Sequence, residues 1–176
     1  MTAQPTPPPV TNLPLARWDT TSAEATRAIG TALGESCVGG ETLALIGLLG
    51  AGKTCLVRGL AVGLGAPSEA VTSPTFVLIH EYTGPGLIPL YHVDLYRLDE
   101  RDAVNGLGLE EYVASQGVTV IEWADRAPAV LPDDHLRITI EHQGGDRRRV
   151  TFHPQGARSA TLAATVFARH PMDTTP

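Results

Sequence analysis

A chain of 176 residues is long enough for one domain with a sizeable core, and 43% hydrophobic with 18% charged residues is typical of a soluble globular protein. The net charge of −6 argues against a free-standing nucleic-acid binder, so we expect any contact with RNA to be local or supplied by a partner. Two cysteines are too few for a disulfide framework, and without a leader pattern or an apolar run of about 18 residues we expect a cytoplasmic protein with no membrane contact.

The two ends of the chain have compositions that disfavour a packed structure. Residues 1–14 contain five prolines, which predicts a disordered, extended tail, and residues 171–176 are expected to form a second tail. Between them we find neither a repeat nor a linker. Residues 15–170 are therefore predicted to form a single domain.

The first half of the domain predicts a helix, a strand, a turn and a second helix. Ser22 is a suitable N-cap for a helix over 22–36, whose apolar residues fall on one face. Residues 42–46 form a short apolar run, as expected for a buried strand. A glycine-rich turn at 47–52 precedes a helix over 53–64, which ends before a glycine and a proline.

The second half is richer in strands. Five segments have the apolar pattern of strands, namely 76–82, 89–95, 118–123, 136–142 and 148–153. An acidic helix is predicted over 99–112, although two glycines interrupt it. Glycine-rich turns join the first two strands and the last two, so both pairs are predicted to be antiparallel hairpins. The fold class is therefore α/β, a sandwich with a central mixed β-sheet flanked by helices.

The turn between the first strand and the second helix carries a phosphate-binding motif. Residues 47–54 read Gly-Leu-Leu-Gly-Ala-Gly-Lys-Thr and fit the P-loop pattern G-x-x-x-x-G-K-[ST]. The glycines let backbone N–H groups point inward at the positive end of a helix, where they bind phosphate oxygens. Lys53 is expected to reach the β- and γ-phosphates, and the Thr54 hydroxyl to ligate Mg²⁺. The predicted nucleotide-binding residues are Gly47, Leu48, Leu49, Gly50, Ala51, Gly52, Lys53, Thr54 and Cys55.

Lys53 is also the only lysine among 13 basic residues. A compact ammonium fits between phosphate oxygens where a planar guanidinium would not. The guanine-reading N-K-x-D element of Ras-like GTPases needs a second lysine. The sequence therefore favours adenine, and with it ATP, as the bound nucleotide.

A P-loop ATPase needs an acidic side chain at a strand end to hold the metal or orient water. Asp94 and Glu122 each end an apolar run, so both are candidates. Taken singly, either carboxylate could instead cap its strand in solvent. Two such ends beside one P-loop favour the functional interpretation.

Several stretches, in this order along the chain, resemble the TsaE family of P-loop ATPases that act in bacterial tRNA threonylcarbamoyladenosine synthesis. They are residues 50–54 with 58–60, residues 71–76, residues 92–98 and residues 121–123. The P-loop alone is common to many families, whereas the combination is specific. The resemblance covers about residues 22–150 and implies a P-loop NTPase-like fold.

The resemblance implies binding of ATP and Mg²⁺, with weak hydrolysis that increases on docking to a TsaB–TsaD pair. That pair transfers threonylcarbamoyl to a tRNA adenosine, so tRNA would be contacted only indirectly through the complex. Carried over by position, Thr54 and Glu122 would hold Mg²⁺, and Asp94 would sit at the metal or order the attacking water. Lys53 would stabilise charge that develops on the γ-phosphate.

Further roles are implied by the same resemblance. Ser73 and Thr75 would lie near the γ-phosphate as a sensing loop, and Trp123 would pack beside the nucleotide. The segment around Thr21 would approach the adenine. The family usually has Asp where Leu48 stands, which puts an acidic contribution near the loop in doubt.

Other functions remain open at this point. A small-molecule or nucleotide kinase could use the same P-loop, and so could a regulatory module in which ATP switches docking. The run 147–149 consists of three arginines, which could form a solvated hairpin end, contact RNA or a partner, or close over the nucleotide. Arg97 could pair with a nearby carboxylate or respond to the nucleotide state.

Overall fold

The computed structural model describes residues 16–67, 79–97 and 108–171. Within these ranges the strands are β1 (Ala16–Thr20), β2 (Thr42–Ile46), β3 (Ile79–Tyr82), β4 (Leu90–Asp94), β5 (Val118–Glu122), β6 (Leu136–His142) and β7 (Arg148–Pro154). The helices are α1 (Ala23–Ser36), α2 (Lys53–Gly63), α3 (Leu109–Val113) and α4 (Ala157–Arg169). The tail predicted at 1–14, and all but the first residue of that at 171–176, lie outside the described residues, and the single-domain span stays a prediction.

The strands form one mixed sheet in the order β1-β7-β6-β2-β5-β4-β3. Strand β2 lies between parallel neighbours β5 and β6, and β4 is parallel to β5. Strands β3 and β7 run antiparallel to β4 and β6, and β1 runs antiparallel to β7. The predicted mixed sheet and both hairpins are confirmed. The C-terminal ends of β1, β2, β4, β5 and β6 consequently meet at one edge.

Helices α1 and α2 pack closely together on one face of the sheet. Ser22 caps α1 as predicted, because its Oγ accepts a hydrogen bond of 3.1 Å from the Ala25 N–H. A methyl group at Gly30 would collide with the Leu56 carbonyl oxygen, and one at Gly59 with the backbone of α1. Glycine therefore lets the helices approach closely, which fixes the N-terminus of α2 relative to the sheet.

The opposite face of β2, β4 and β5 is covered by a smaller apolar cluster. Ile121 and Val93 pack there against α3 and against two short 3₁₀ turns, Ala124–Arg126 and Pro128–Val130. The helix predicted over 99–112 is only partly described: α3 begins after Gly108, and residues 98–107 lie outside the described residues. Helices thus flank both faces of the sheet, as expected.

Some elements differ from the prediction. Neither β1 nor α4 was predicted, yet Trp18 of β1 packs against Phe152 at 4.7 Å between ring centroids, and α4 buries Val166 in the same core. The strand predicted over 118–123 ends at Glu122, because Trp123 takes a left-handed φ of 60°. In the part of the chain that the structure describes, no helix is long and apolar enough to cross a membrane.

Candidate nucleotide-binding site

The predicted P-loop connects β2 to α2 at the sheet edge where the strand ends meet. The loop turns through left-handed φ values of 75° at Gly50 and 110° at Gly52, which caps α2. Gly47 lies so close to β6 that an added Cβ would come within 2.5 Å of the Ile140 carbonyl oxygen. The backbone N–H groups at the start of α2 therefore lie at the positive end of the helix, where an anion is stabilised.

Lys53 is buried at the first position of α2. Its Nζ donates hydrogen bonds of 2.7 Å to the Gly47 carbonyl oxygen and 3.0 Å to that of Leu48. The same ammonium lies 3.7 Å from the centroid of the Trp123 ring. Burial lowers the pKa of Lys53, while the negative charge of Glu122 opposes that shift. The ammonium is thus held inside the loop by neutral acceptors and by an aromatic face.

Thr54 and Glu122 are in direct contact. The Thr54 hydroxyl donates to both carboxylate oxygens of Glu122, at 2.9 Å to Oε1 and 3.2 Å to Oε2. Glu122 is buried at the end of β5, and its β4 register partner is Asp94. Both predicted acidic residues therefore lie beside the P-loop.

Asp94 is less enclosed than Glu122. Its Oδ1 accepts a hydrogen bond of 2.9 Å from the Tyr96 N–H. Burial raises the pKa of Asp94 above its ordinary value, and the neighbouring Glu122 acts in the same direction. Two carboxylates side by side repel each other, so a bound cation would be stabilised between them.

The side-chain oxygens beside the P-loop are suited to binding Mg²⁺ together with a nucleotide. Among the described residues, no group of three or more His, Cys, Asp or Glu side chains could hold an ion alone. Thr54 and Glu122 supply hard oxygen ligands, and Mg²⁺ in nucleotide sites takes one or two carboxylates together with water and substrate phosphates. The residues therefore fit Mg²⁺ that arrives with a nucleotide, and they do not fit a closed structural metal site.

Trp123 closes one side of the site. Its backbone has a left-handed conformation, and no other described non-glycine residue has one. The indole packs against the Tyr96 ring at 5.0 Å between centroids, and the Arg126 guanidinium lies 5.4 Å from the indole centroid. This turn directs the ring back over Lys53 instead of continuing β5.

The other predicted contacts are distributed around the loop. Thr21 is exposed in the turn between β1 and α1, at the same sheet edge. The Cys55 thiol donates to the Ala23 carbonyl oxygen at 3.1 Å, so the first turn of α2 faces the start of α1. Ser73 and Thr75 lie outside the described residues, and their sensing role stays a prediction.

Leu48 and Leu49 form the outer surface of the loop. Their relative exposures are 79% and 72%, so neither side chain contributes to the core. Ala51, by contrast, is buried beneath them. The loop positions predicted to cradle phosphate through their backbone thus present two leucines to solvent.

The three arginines at 147–149 have different environments. Arg148 donates through Nε to the Ala51 carbonyl oxygen at 3.0 Å, which attaches the β6–β7 hairpin to the P-loop. Arg149 on β7 forms an ion pair with Asp19 on β1, at 2.7 Å between Nε and Oδ1. The Arg147 side chain is exposed. Arg148 therefore contacts the P-loop backbone, and closing over a nucleotide stays a prediction for this run.

Sequence reasoning missed the contribution of His92. Its Nε2 lies 2.8 Å from Glu122 Oε1, and its ring is fully buried. The available signal was strand alternation, which puts His92 and Asp94 on one face of β4. That alternation does not reveal a partner on β5, 30 positions away.

Comparisons with known proteins consistently point to one family. The family model described as "Threonylcarbamoyl adenosine biosynthesis protein TsaE" matches residues 20–150. A "tRNA threonylcarbamoyladenosine biosynthesis protein TsaE" of Bacillus subtilis is 42% identical over 154 residues, covering 88% of this chain and 94% of that protein. A protein of the same name from Streptomyces coelicolor is 42% identical over 149 residues, covering 81% and 99%. The crystal structure of YdiB from Bacillus subtilis matches with a TM-score of 0.75 and 38% identity, covering 89% of this chain and 96% of that one.

Proposed function

The chain belongs to the TsaE family, and from that premise we propose that it binds ATP with Mg²⁺ and hydrolyses ATP in support of threonylcarbamoyl transfer to a tRNA adenosine. The observation that carries the proposal is the arrangement at the start of α2, where the buried Lys53 ammonium lies beside the Thr54–Glu122 hydrogen bond. The family and its relatives are named for tRNA threonylcarbamoyladenosine biosynthesis, and we take from these names the process in which the ATP would be used.

Phosphate binding would use the loop backbone and Lys53. The N–H groups at the start of α2 would donate to phosphate oxygens, and the helix dipole would favour their negative charge. The Lys53 ammonium would exchange its carbonyl acceptors, Gly47 and Leu48, for the more strongly attracting β- and γ-phosphate oxygens. Because the ammonium is already desolvated, this exchange would not require it to leave bulk water.

Hydrolysis would use the two carboxylates. Thr54 and Glu122 would hold Mg²⁺, which when bound supplies positive charge to the phosphate oxygens. Asp94, with Oδ1 fixed by the Tyr96 N–H, would join the metal or accept a hydrogen bond from the attacking water. Lys53 and the loop N–H groups would stabilise the charge that develops during in-line attack on the γ-phosphate.

The proposed partner is a TsaB–TsaD pair, with tRNA contacted only through that complex. The net charge of −6 supports a protein partner more than direct RNA binding. The exposed Leu48 and Leu49 beside the site lack the acidic group that the family usually has at the first of these positions. Stimulation by the pair therefore has to be measured with this chain itself.

The test is ATP hydrolysis by the full chain, alone and with its TsaB–TsaD pair. We expect a slow basal rate that rises when the pair is added. Lys53→Ala should weaken ATP binding by about 100-fold, because a buried charge-assisted contact is lost. At saturating Mg²⁺, Glu122→Ala and Asp94→Asn should retain nucleotide binding but lower hydrolysis by about 100-fold.

Glu110→Gln, on the exposed face of α3, is the control and should behave as the unchanged chain. Hydrolysis at the unchanged rate in both carboxylate variants would refute their assignment. A rate indifferent to the pair, but raised by a small acceptor that becomes phosphorylated, would indicate a kinase instead.

A further inference from the structure

The Glu122 carboxylate has a second contact, with His92, which takes no part in the chemistry proposed above. His92 lies on β4, two residues before Asp94, and its side chain is fully buried. Its Nε2 is 2.8 Å from Glu122 Oε1, the same oxygen that accepts the shorter hydrogen bond from Thr54. Oε1 is therefore fixed by donors from two elements, β4 and α2.

The hydrogen of this contact can be assigned to the imidazole. A carboxylate oxygen without a proton accepts hydrogen bonds, so Nε2 carries the hydrogen and donates it. The other ring nitrogen, Nδ1, is buried and has no hydrogen-bond partner in the described part of the chain. A polar ring at this depth is unfavourable when half of its capacity is unmet. A leucine would fill the position without that penalty, so the bond to Glu122 is what distinguishes histidine here.

We propose that His92 is a positioning residue, which fixes Glu122 so that Oε2 stays available to the metal-bound nucleotide. Within the described part of the chain, the one hydrogen bond that Oε2 accepts is the longer one from Thr54, at 3.2 Å. The inference rests on the proposed function, because it assigns His92 a role in binding Mg²⁺ with nucleotide.

Two substitutions separate positioning from simple core packing. The amide nitrogen of glutamine is as many bonds from Cβ as His92 Nε2, whereas that of asparagine is one bond shorter. His92→Gln can therefore restore the donor to Glu122, and His92→Asn cannot. His153→Asn is the matched control, because His153 also makes one side-chain hydrogen bond within the sheet, at 3.2 Å to Thr139 on β6.

The measurement is binding of a fluorescent ADP to the full chain as Mg²⁺ is titrated. We expect His92→Asn to raise the Mg²⁺ concentration for half-maximal tight binding by about 10-fold, as for other residues that orient a metal ligand. His92→Gln should stay within about 3-fold of the unchanged chain, and His153→Asn should match it. Affinity for the nucleotide without Mg²⁺ should be the same in all four proteins.

A double substitution tests whether His92 acts on Mg²⁺ binding through Glu122. In a chain that already carries Glu122→Gln, adding His92→Asn should cause no further change in the Mg²⁺ requirement. Should His92→Asn not fold, His92→Leu, which removes the donor but keeps an apolar side chain at this buried position, takes its place in every comparison.

The positioning role would be overturned if the asparagine or leucine variant had an unchanged Mg²⁺ requirement, even with a lower melting temperature. The proposed function would not be affected by that result. If the unchanged chain showed no Mg²⁺-dependent nucleotide binding, the proposed function would fall together with the positioning role.

Discussion

Lys53 lies in an enclosure whose dimensions suit an ammonium group. Its Nζ is within 3.0 Å of two backbone carbonyl oxygens and 3.7 Å from the centre of the Trp123 ring. A guanidinium is planar, its two terminal nitrogens lie further from Cα than an ammonium does, and it cannot be surrounded in the same way. The loop thus selects lysine in a chain whose other Lys or Arg positions are all arginine.

Lys53→Arg is therefore expected to fail despite keeping the positive charge. We expect ATP binding to weaken by about 100-fold, comparable to Lys53→Ala, because the planar guanidinium neither fits the loop nor reaches the same phosphate oxygens. The measurement is isothermal titration with ATP and Mg²⁺. Arg137→Lys on the exposed side of β6 is the control for exchanging the two cations. Binding by Lys53→Arg at the unchanged affinity would contradict this account of the loop.

Trp123 should report the same event by fluorescence. The chain has two tryptophans, and Trp18→Phe leaves Trp123 as the single emitter. When phosphates attract the Lys53 ammonium away from the indole face, the environment of the ring changes. We expect tryptophan emission to change on addition of ATP and Mg²⁺, and to stay constant when Lys53→Ala is also present. Equal changes in both chains would show that the change in emission does not depend on Lys53.

The residues of the site differ in how far the sequence predicts them. The P-loop is predictable because all its functional groups lie within eight consecutive positions of a fixed motif. Asp94 and Glu122 are predictable as candidates from their places at strand ends. The contacts of His92 with Glu122 and of Arg148 with Ala51 are not, since they span 30 and 97 positions and depend on strand order.

At the scale of elements, the α1–α2 interface sets where the P-loop helix lies. A methyl group at Gly59 would collide with the Arg27 carbonyl oxygen of α1. We expect Gly59→Ala to lower the free energy of unfolding by about 1–3 kcal/mol, because two rigid helices must separate. Gly84→Ala is the matched control, because a methyl group there meets only the flexible Leu87 side chain, at 3.1 Å. Equal stability of the two variants in urea unfolding would contradict close packing as the cause.

Helix α4 is capped by a residue outside it, Asp134. Its carboxylate accepts hydrogen bonds from the Arg158 N–H at 2.8 Å and the Ser159 N–H at 3.0 Å. Partial burial raises the pKa of Asp134, but the bonds from Ser159 and Arg158 outweigh it, and the net pKa is lowered. We expect Asp134→Ala to cost about 1 kcal/mol of unfolding free energy near pH 7.

The pH dependence of that loss follows from the direction of the pKa shift. A carboxylate with a lowered pKa stabilises the fold above its unfolded pKa of about 3.9, and this contribution disappears as the pH falls through the folded value. The stability difference between the unchanged chain and Asp134→Ala should therefore be constant from pH 6 to 7 and shrink below about pH 4. Asp133→Ala, at the exposed neighbour, should show no such difference. A difference that grows in acid would refute the capping role.

Elements near the motif were predicted better than those at the ends of the domain. Helices α1 and α2 have clear caps and breakers, and the hairpins have glycine turns. Strand β1 follows directly on a proline-rich segment, and its alternation of buried and exposed residues extends over only five positions. Helix α4 has a glycine at its N-cap, and the acceptor that completes the cap is Asp134, more than 20 positions earlier. Both elements depend on tertiary partners that local pattern does not show.

For the whole molecule, the sheet order concentrates function at one edge. Strand β2 lies between β6 and β5, so the P-loop that follows it lies between the Arg148 hairpin and the strand end that carries Glu122. The α/β class with a mixed sheet is predictable from the order of helices and strands along the chain. The order of the strands within the sheet is not, because several orders are compatible with that class. The observed order is what joins residues from both halves of the chain at the proposed nucleotide site.

Because the site draws on elements across the sheet, nucleotide binding should stabilise the entire fold. A ligand at about 100 times its Kd adds about 2.7 kcal/mol to the free energy of unfolding, which for a chain of this size raises Tm by roughly 5–10 °C. We expect this rise with ATP and Mg²⁺ in differential scanning calorimetry of the full chain. Chelating Mg²⁺ with EDTA should reduce it, because Thr54 and Glu122 then lose the ion that links them to the phosphates. Lys53→Ala, which should bind ATP about 100-fold more weakly, should gain only about 0.4 kcal/mol and rise by roughly 1–2 °C at the same concentrations. A rise of equal size in that variant would mean that ATP stabilises the chain from somewhere other than the P-loop.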